Sequence, residues 1–149
     1  MTNTPESFHI VCSQCGTVNR VKVDRISDHP TCPKCKTHLF SGGSITLNEK
    51  NFDKQITRND VSVVVDFWAP WCGPCRTMAP AFEQAAAELE PFIRFGKLNT
   101  EEAQSIAARY NINSIPTLLI FAHGKEKARQ SGAMNRDQLV RWVKSNTRG

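Results

Sequence analysis

From residue 44 onward the chain alternates between short apolar runs of strand period and longer stretches of helical period. Ser44–Leu47 reads as a short strand, and Glu49–Thr57 as a short helix with Asn48 as its cap. Val61–Ala69 is almost wholly apolar and rich in β-branched residues, the pattern of a strand buried on both faces. From Gly73 to about Glu90, Met78, Phe82, Ala85, Ala86 and Leu89 recur at three- and four-residue steps, predicting a helix that Pro80 should kink. Phe92–Leu98 is a strand, and Glu101–Tyr110 a helix with Thr100 as cap and acidic residues in its first turn. Ser114–Phe121 is a further strand, His123-Gly124 a turn, and Lys125–Ser131 a charged edge strand. Asn135–Asn146 closes the chain as a helix whose inner face is Leu139, Val140, Trp142 and Val143. The order βαβαβαββα predicts an α/β domain: an open mixed sheet, parallel first and antiparallel last, with helices on both faces.

The first 43 residues follow another rule. Their apolar positions, Val11, Val18, Val21, Val23 and Ile26, support only short strand-like pieces. Their dominant feature is Cys12-x2-Cys15-x16-Cys32-x2-Cys35, with Gly16 after the first pair, Pro30 and Pro33 around the second, and Lys34 and Lys36 flanking Cys35. Two such knuckles place four thiolates around one tetrahedral ion, the pattern of a zinc ribbon. A piece this small buries too little surface to fold unaided, and structural zinc supplies on the order of 10–16 kcal/mol of apparent binding energy at neutral pH. Four thiolates on zinc carry a net −2, which offsets the formal +2 of this segment. An iron site would use the same ligands and is the less favoured metal; two accessory disulfides are a further alternative. His9, His29 and His38 are near enough in sequence to be ligands, but with four cysteines present they read as surface residues. Ser41-Gly42-Gly43-Ser44 is the small-residue linker, dividing residues 1–43 from 44–149.

Composition narrows the function classes. Hydrophobic residues are 40% and charged residues 22% of 149, which fits a packed core. The net charge of +5 is dispersed: five Lys/Arg against three Asp/Glu in residues 1–43, and fourteen against eleven in the rest. No basic run favours nucleic acid, and no apolar run approaches the ~20 residues of a membrane span. The N-terminal residues lack the pattern of an export signal, so a cytoplasmic monomer is expected, in a compartment that keeps thiols reduced.

The third cysteine pair lies elsewhere. Val63-Val64-Val65-Asp66-Phe67-Trp68-Ala69-Pro70-Trp71-Cys72-Gly73-Pro74-Cys75 puts both thiols where a buried strand hands over to a helix. Helix N-termini favour anions, so Cys72, at the strand end, is the expected attacking thiolate, and Cys75, one turn in, the shielded resolving thiol. Pro74 sits where a missing N–H costs little. Asp66 is the intruder in an apolar run. Buried there, its pKa should rise, fitting it to take the Cys75 proton; a solvent-facing strand end is the alternative. Pro116, in an apolar strand-like run after Ile115, implies an edge strand or a cis bond. Trp71 reads as a surface aromatic beside Cys72, and Trp68 as core.

Trp71-Cys72-Gly73-Pro74-Cys75, the Val65–Pro70 segment before it and Ser114-Ile115-Pro116-Thr117 together resemble the thioredoxin family over residues 44–149. With the four-cysteine segment in front, the chain resembles that family's zinc-bearing bacterial branch. The resemblance implies a thioredoxin fold and a protein-disulfide reductase. It further implies that Gly73-Pro74 favours reducing power, that Lys97 is the charge partner of Asp66, and that Ile115-Pro116 is cis with its backbone facing the thiols. Gly132-Ala133 matches the family's pair before the last helix. The implied partners are disulfide-containing client proteins and an NADPH-dependent thioredoxin reductase, with no flavin or nicotinamide bound to this chain. A ribbon that senses oxidation and binds clients, with the second domain as scaffold, is the alternative function. An oxidase or isomerase is disfavoured by Gly73-Pro74 and by the expected compartment.

Overall fold

Strand alternation decides how the central sheet is dressed. In the computed structural model, which describes residues 6–147, Val63, Val65 and Phe67 face one side of the sheet and Val64 and Asp66 the other. The elements in chain order are β1 (Ser7–Val11), β2 (Val18–Lys22), β3 (Ile45–Leu47), α1 (Phe52–Arg58), β4 (Ser62–Trp68) and α2 (Gly73–Leu89). They continue as β5 (Ile93–Asn99), α3 (Gln104–Arg109), β6 (Thr117–Ala122), β7 (Lys125–Ser131) and α4 (Arg136–Thr147). Five strands form one sheet in the order β3-β5-β4-β6-β7. β3 and β4 run parallel to β5, while β6 and β7 are antiparallel additions. This is the mixed sheet that the element order predicts.

Each face has its own core. Val64, Phe95, Leu118 and Ile120 pack against Met78, Phe82 and Ala85 of α2 and Leu139 and Val143 of α4. On the other face Val63, Val65, Phe67, Leu98 and Phe121 meet Phe52 and Ile56 of α1 and Ile106 of α3. Helix α2 continues without interruption through Pro80, which lies exposed. Trp142 is half-buried against the first core.

Three predicted boundaries move, each for a local reason. Helix α1 begins at Phe52, because Asn48 and Asn51 exchange side-chain and backbone hydrogen bonds that build a turn over 48–51. Helix α3 begins at Gln104: Thr100 turns its hydroxyl to the Trp68 carbonyl instead of capping, and Asn99 accepts the Glu101 N–H. Strand β6 begins at Thr117, because Pro116 has no N–H to give to a ladder, so Ser114–Pro116 lies outside the sheet; the Ile115-Pro116 peptide is cis.

The N-terminal segment forms an antiparallel β1–β2 hairpin followed by a 3-10 turn and the second knuckle. Ile10, Val21, Ile26, Leu39 and Phe40 form its core, and Val61 at the foot of β4 joins them. Polar contacts close the seam: Asn59 accepts the Val11 N–H (2.7 Å), Gln55 donates to the Cys12 carbonyl (3.4 Å), and Asp60 binds the rings of His9 and His123. Those contacts, with the His9 backbone N–H, outweigh burial and hold Asp60 below its ordinary pKa. The small-residue linker is pinned along α2, since Ser44 donates twice to Glu83 and the Gly42 N–H donates to Glu90. Gly42 adopts φ +79°, a left-handed conformation that favours glycine.

Candidate active site and four-cysteine centre

The sheet carries its two chemical sites at opposite ends. Cys72 follows the C-terminal end of β4, whereas the ribbon abuts Asn59–Val61 and Arg94 at the N-terminal ends of β4 and β5. Seven strand residues between them span roughly 20 Å.

At the upper end Cys72 is the N-cap of α2 and is disulfide-bonded to Cys75, with Cα atoms 5.3 Å apart. The Cys75 backbone N–H donates to Cys72 Sγ at 3.2 Å. This is one of the free N–H groups of a helix start, aimed at the sulfur, and it stabilises a thiolate there. Pro74 occupies the first turn. The two cysteines are 4% and 2% exposed, so area alone separates them little; the helix-terminal N–H is what distinguishes Cys72. Ala69, Trp68 and Ile115 pack around the pair, and the Ile115 carbonyl oxygen lies 3.7 Å from Cys72 Sγ. Gly73 and Pro74 are exposed and Pro116 is buried. Trp71 is 65% exposed, and its indole N–H donates to Glu101 at 2.7 Å. Nothing in the sequence pattern singles out Glu101. Trp68 is half-buried rather than core, because it is the last residue of β4, at the edge of the packed strand; the ammonium of Lys97 lies 4.5 Å above its ring.

Asp66 is fully buried, and neither carboxylate oxygen has a hydrogen-bond partner. Burial pushes its pKa up to about 7; Lys97 pulls it back, and Glu83 adds to the rise. Lys97 pairs with Asp66 in the β4–β5 register. Alternation puts both on the face covered by α2, the helix that carries Cys75.

At the lower end the sulfurs of Cys12, Cys15, Cys32 and Cys35 all lie within 4.8 Å of one another. Cys12–Cys35 and Cys15–Cys32 are 3.5 and 3.7 Å apart. Thiolates at roughly 2.3 Å from a tetrahedral zinc stand about 3.8 Å from each other, so the donor set fits the ion in number, softness and spacing. The knuckles are near copies. Cys12 N–H binds the Thr17 carbonyl and Cys32 N–H that of Thr37, while Gly16 and Lys36 occupy the same left-handed position. Backbone N–H groups of Cys35 and Lys34 draw the Cys32 thiol down to about 6, whereas burial pushes Cys12 up to about 11. His9, His29 and His38 are exposed and stand outside the cluster.

Comparison with known proteins agrees with this two-site architecture. Residues 43–145 match the family model described as Thioredoxin, and residues 11–37 match a zinc-ribbon model described as Thioredoxin 2, N-terminal. Thioredoxin C-3 of Corynebacterium nephridii is 42% identical over 134 residues, covering 90% of this chain and 92% of that one. The thioredoxin of Rickettsia bellii is 35% identical over 100 residues, covering 67% and 95%. The chloroplastic M-type thioredoxin of Spinacia oleracea is 44% identical over 94 residues, covering 63% and 52%. The chain belongs to the thioredoxin family and is a thiol–disulfide oxidoreductase. Its pairing of a zinc ribbon with a thioredoxin domain is that of the thioredoxin 2 type.

Proposed function

We propose that this chain reduces disulfides in client proteins through Cys72 and Cys75. Cys72, as thiolate, attacks one sulfur of the client disulfide; that bond breaks, a Cys72–client disulfide forms, and one client thiolate leaves. Cys75 loses its proton to Asp66 and attacks Cys72 Sγ. The second client thiolate leaves, and two electrons have passed from the dithiol to the client. The observation that carries this reading is the Cys75 N–H directed at Cys72 Sγ from the start of α2. Lys97 moderates the charge of Asp66. Gly73 and Pro74 shape the turn, Trp71 covers its rim, and the backbone of Ile115-Pro116 offers an extended client segment a place to pair.

The division at residues 43 and 44 makes the ribbon a support for this domain, with zinc held by Cys12, Cys15, Cys32 and Cys35. An NADPH-dependent thioredoxin reductase would regenerate the dithiol in the cytoplasm. No helix among the described residues is long and apolar enough to cross a membrane. The test is reduction of insulin by the intact chain with such a reductase and NADPH. NADPH should be consumed only when chain, reductase and insulin are all present, and no coupled consumption would refute the proposal.

The ribbon's part is checked by metal content and thiol counting. One zinc per chain and four protected thiols are expected, with a single pair that mild oxidation closes. Iron, or two further disulfides in the reduced protein, would overturn the zinc assignment. The sensing reading rests on the exposure of Cys15 within the cluster. It would be favoured if peroxide released the metal and client binding rose while Cys72 was dispensable.

A further inference from the structure

Arg94 is an arginine that the reductase chemistry leaves without a task. It is the second residue of β5, it is 0% exposed, and among the described residues no other Lys or Arg is fully buried. One guanidinium N–H donates to the Val11 carbonyl at 2.7 Å and another to the Leu39 carbonyl at 2.8 Å. Val11 immediately precedes Cys12. Leu39 follows the second knuckle, and its N–H returns to Pro30, two residues before Cys32. One side chain from the central sheet therefore ties together the outer backbone of both knuckles. The guanidinium also lies 4.4 Å over the Phe40 ring, and its Nε is buried without a partner.

A cation shut away from water needs a counter-charge. Burial draws Arg94 down to about 10, while Glu90 and Cys12 act to keep it charged. Four thiolates on a divalent ion carry a net −2 on the Cys12 side of the guanidinium. Lys34 and Lys36, the cations the sequence places beside the knuckles, are exposed and screened by water.

We propose that Arg94 is a positioning residue for the four-cysteine centre, a cation from the thioredoxin sheet that offsets metal–thiolate charge and holds both knuckles at ligand spacing. This rests on the reading of the cysteines as a zinc site. The ribbon's affinity for metal then depends on a residue of the other domain. By linkage, metal strengthens the seam by the same factor that the seam strengthens metal binding.

The test uses the full zinc-loaded chain, competed against a chromophoric chelator. R94M, which keeps the stem and removes the charge, should weaken zinc binding by roughly 10- to 100-fold, and R94K should recover much of that loss. N59A breaks a neutral seam bond to Val11 and should cost less. Unchanged affinity in R94M overturns the proposal. So does an equal loss in N59A without rescue by lysine, which would mark a packing role only. Should R94M fail to fold, the unaltered protein decides. The Arg94 guanidinium N–H signals in NMR should exchange slowly with zinc bound and broaden on chelation, and identical signals in both states count against it. Failure of the wild-type chain to bind zinc at all would remove the underlying reading instead, so the two failures are distinguishable.

Discussion

Cys72→Ser should abolish insulin reduction, a loss on the order of 10³-fold or more, as expected when the nucleophile of a covalent mechanism is removed. Cys75→Ser should be just as inactive in turnover yet behave differently with a client. Its Cys72 still sits at the helix start. The backbone N–H that favours its thiolate belongs to residue 75 and survives the substitution. The first exchange proceeds, and the second has no attacking sulfur. Cys75→Ser should therefore accumulate client proteins joined to residue 72, seen as bands that collapse on adding dithiothreitol. Cys72→Ser should accumulate none at residue 75, because that thiol lies inside the helix and the N–H of its own residue is directed at position 72. The asymmetry carries the weight, since the two sulfurs differ so little in exposed area. Equal trapping by both variants would mean that the helix-terminal N–H does not select the nucleophile.

Much of this was legible in the residues because local rules and tertiary need coincide. The apolar run of β4, the helical spacing after Gly73 and the charged edge of β7 each say the same thing at both levels. The cysteine spacing foretold the cluster because two C-x2-C knuckles supply a complete tetrahedral donor set. Asp66 stood out because a carboxylate in an apolar strand has few bland explanations. Arg94 breaks the apolar character of its own strand in the same way, Ile93-Arg94-Phe95-Gly96, but the strand pattern does not say what it meets. Its partners, at Val11 and Leu39, are 83 and 55 residues away and are backbone carbonyls, which leave no trace in side-chain pattern. The seam residues Gln55 and Asn59 are hidden for the same reason. The helix starts moved because Asn48, Asn51 and Asn99 spend their side chains on turns, a competition that propensity does not rank.

Asp66→Asn should make the protein more stable at pH 8 and change little at pH 4, apart from a constant offset. The folded carboxyl has a pKa of about 7, against an ordinary value of 3.8. Well below pH 3.8 it is protonated in both folded and unfolded states, and pH has no leverage. Between about 4 and 7 the unfolded chain releases its proton while the folded chain retains it, so each unit of rising pH costs about 1.36 kcal/mol. Above 7 the folded state holds a buried, unpartnered carboxylate, and the accumulated cost is about 4 kcal/mol. Asparagine keeps the shape without the titration. Urea unfolding of both proteins from pH 4 to 8 isolates Asp66 from Glu90, which burial also raises to about 7 and which titrates identically in both. The difference between the two stability curves should open by about 4 kcal/mol in favour of the variant over that range. The same substitution should slow release of the trapped client by about 10²-fold or more, because Cys75 loses its proton acceptor. Stability curves that stay parallel would show that Asp66 ionises freely in the fold and is not the group that accepts the Cys75 proton.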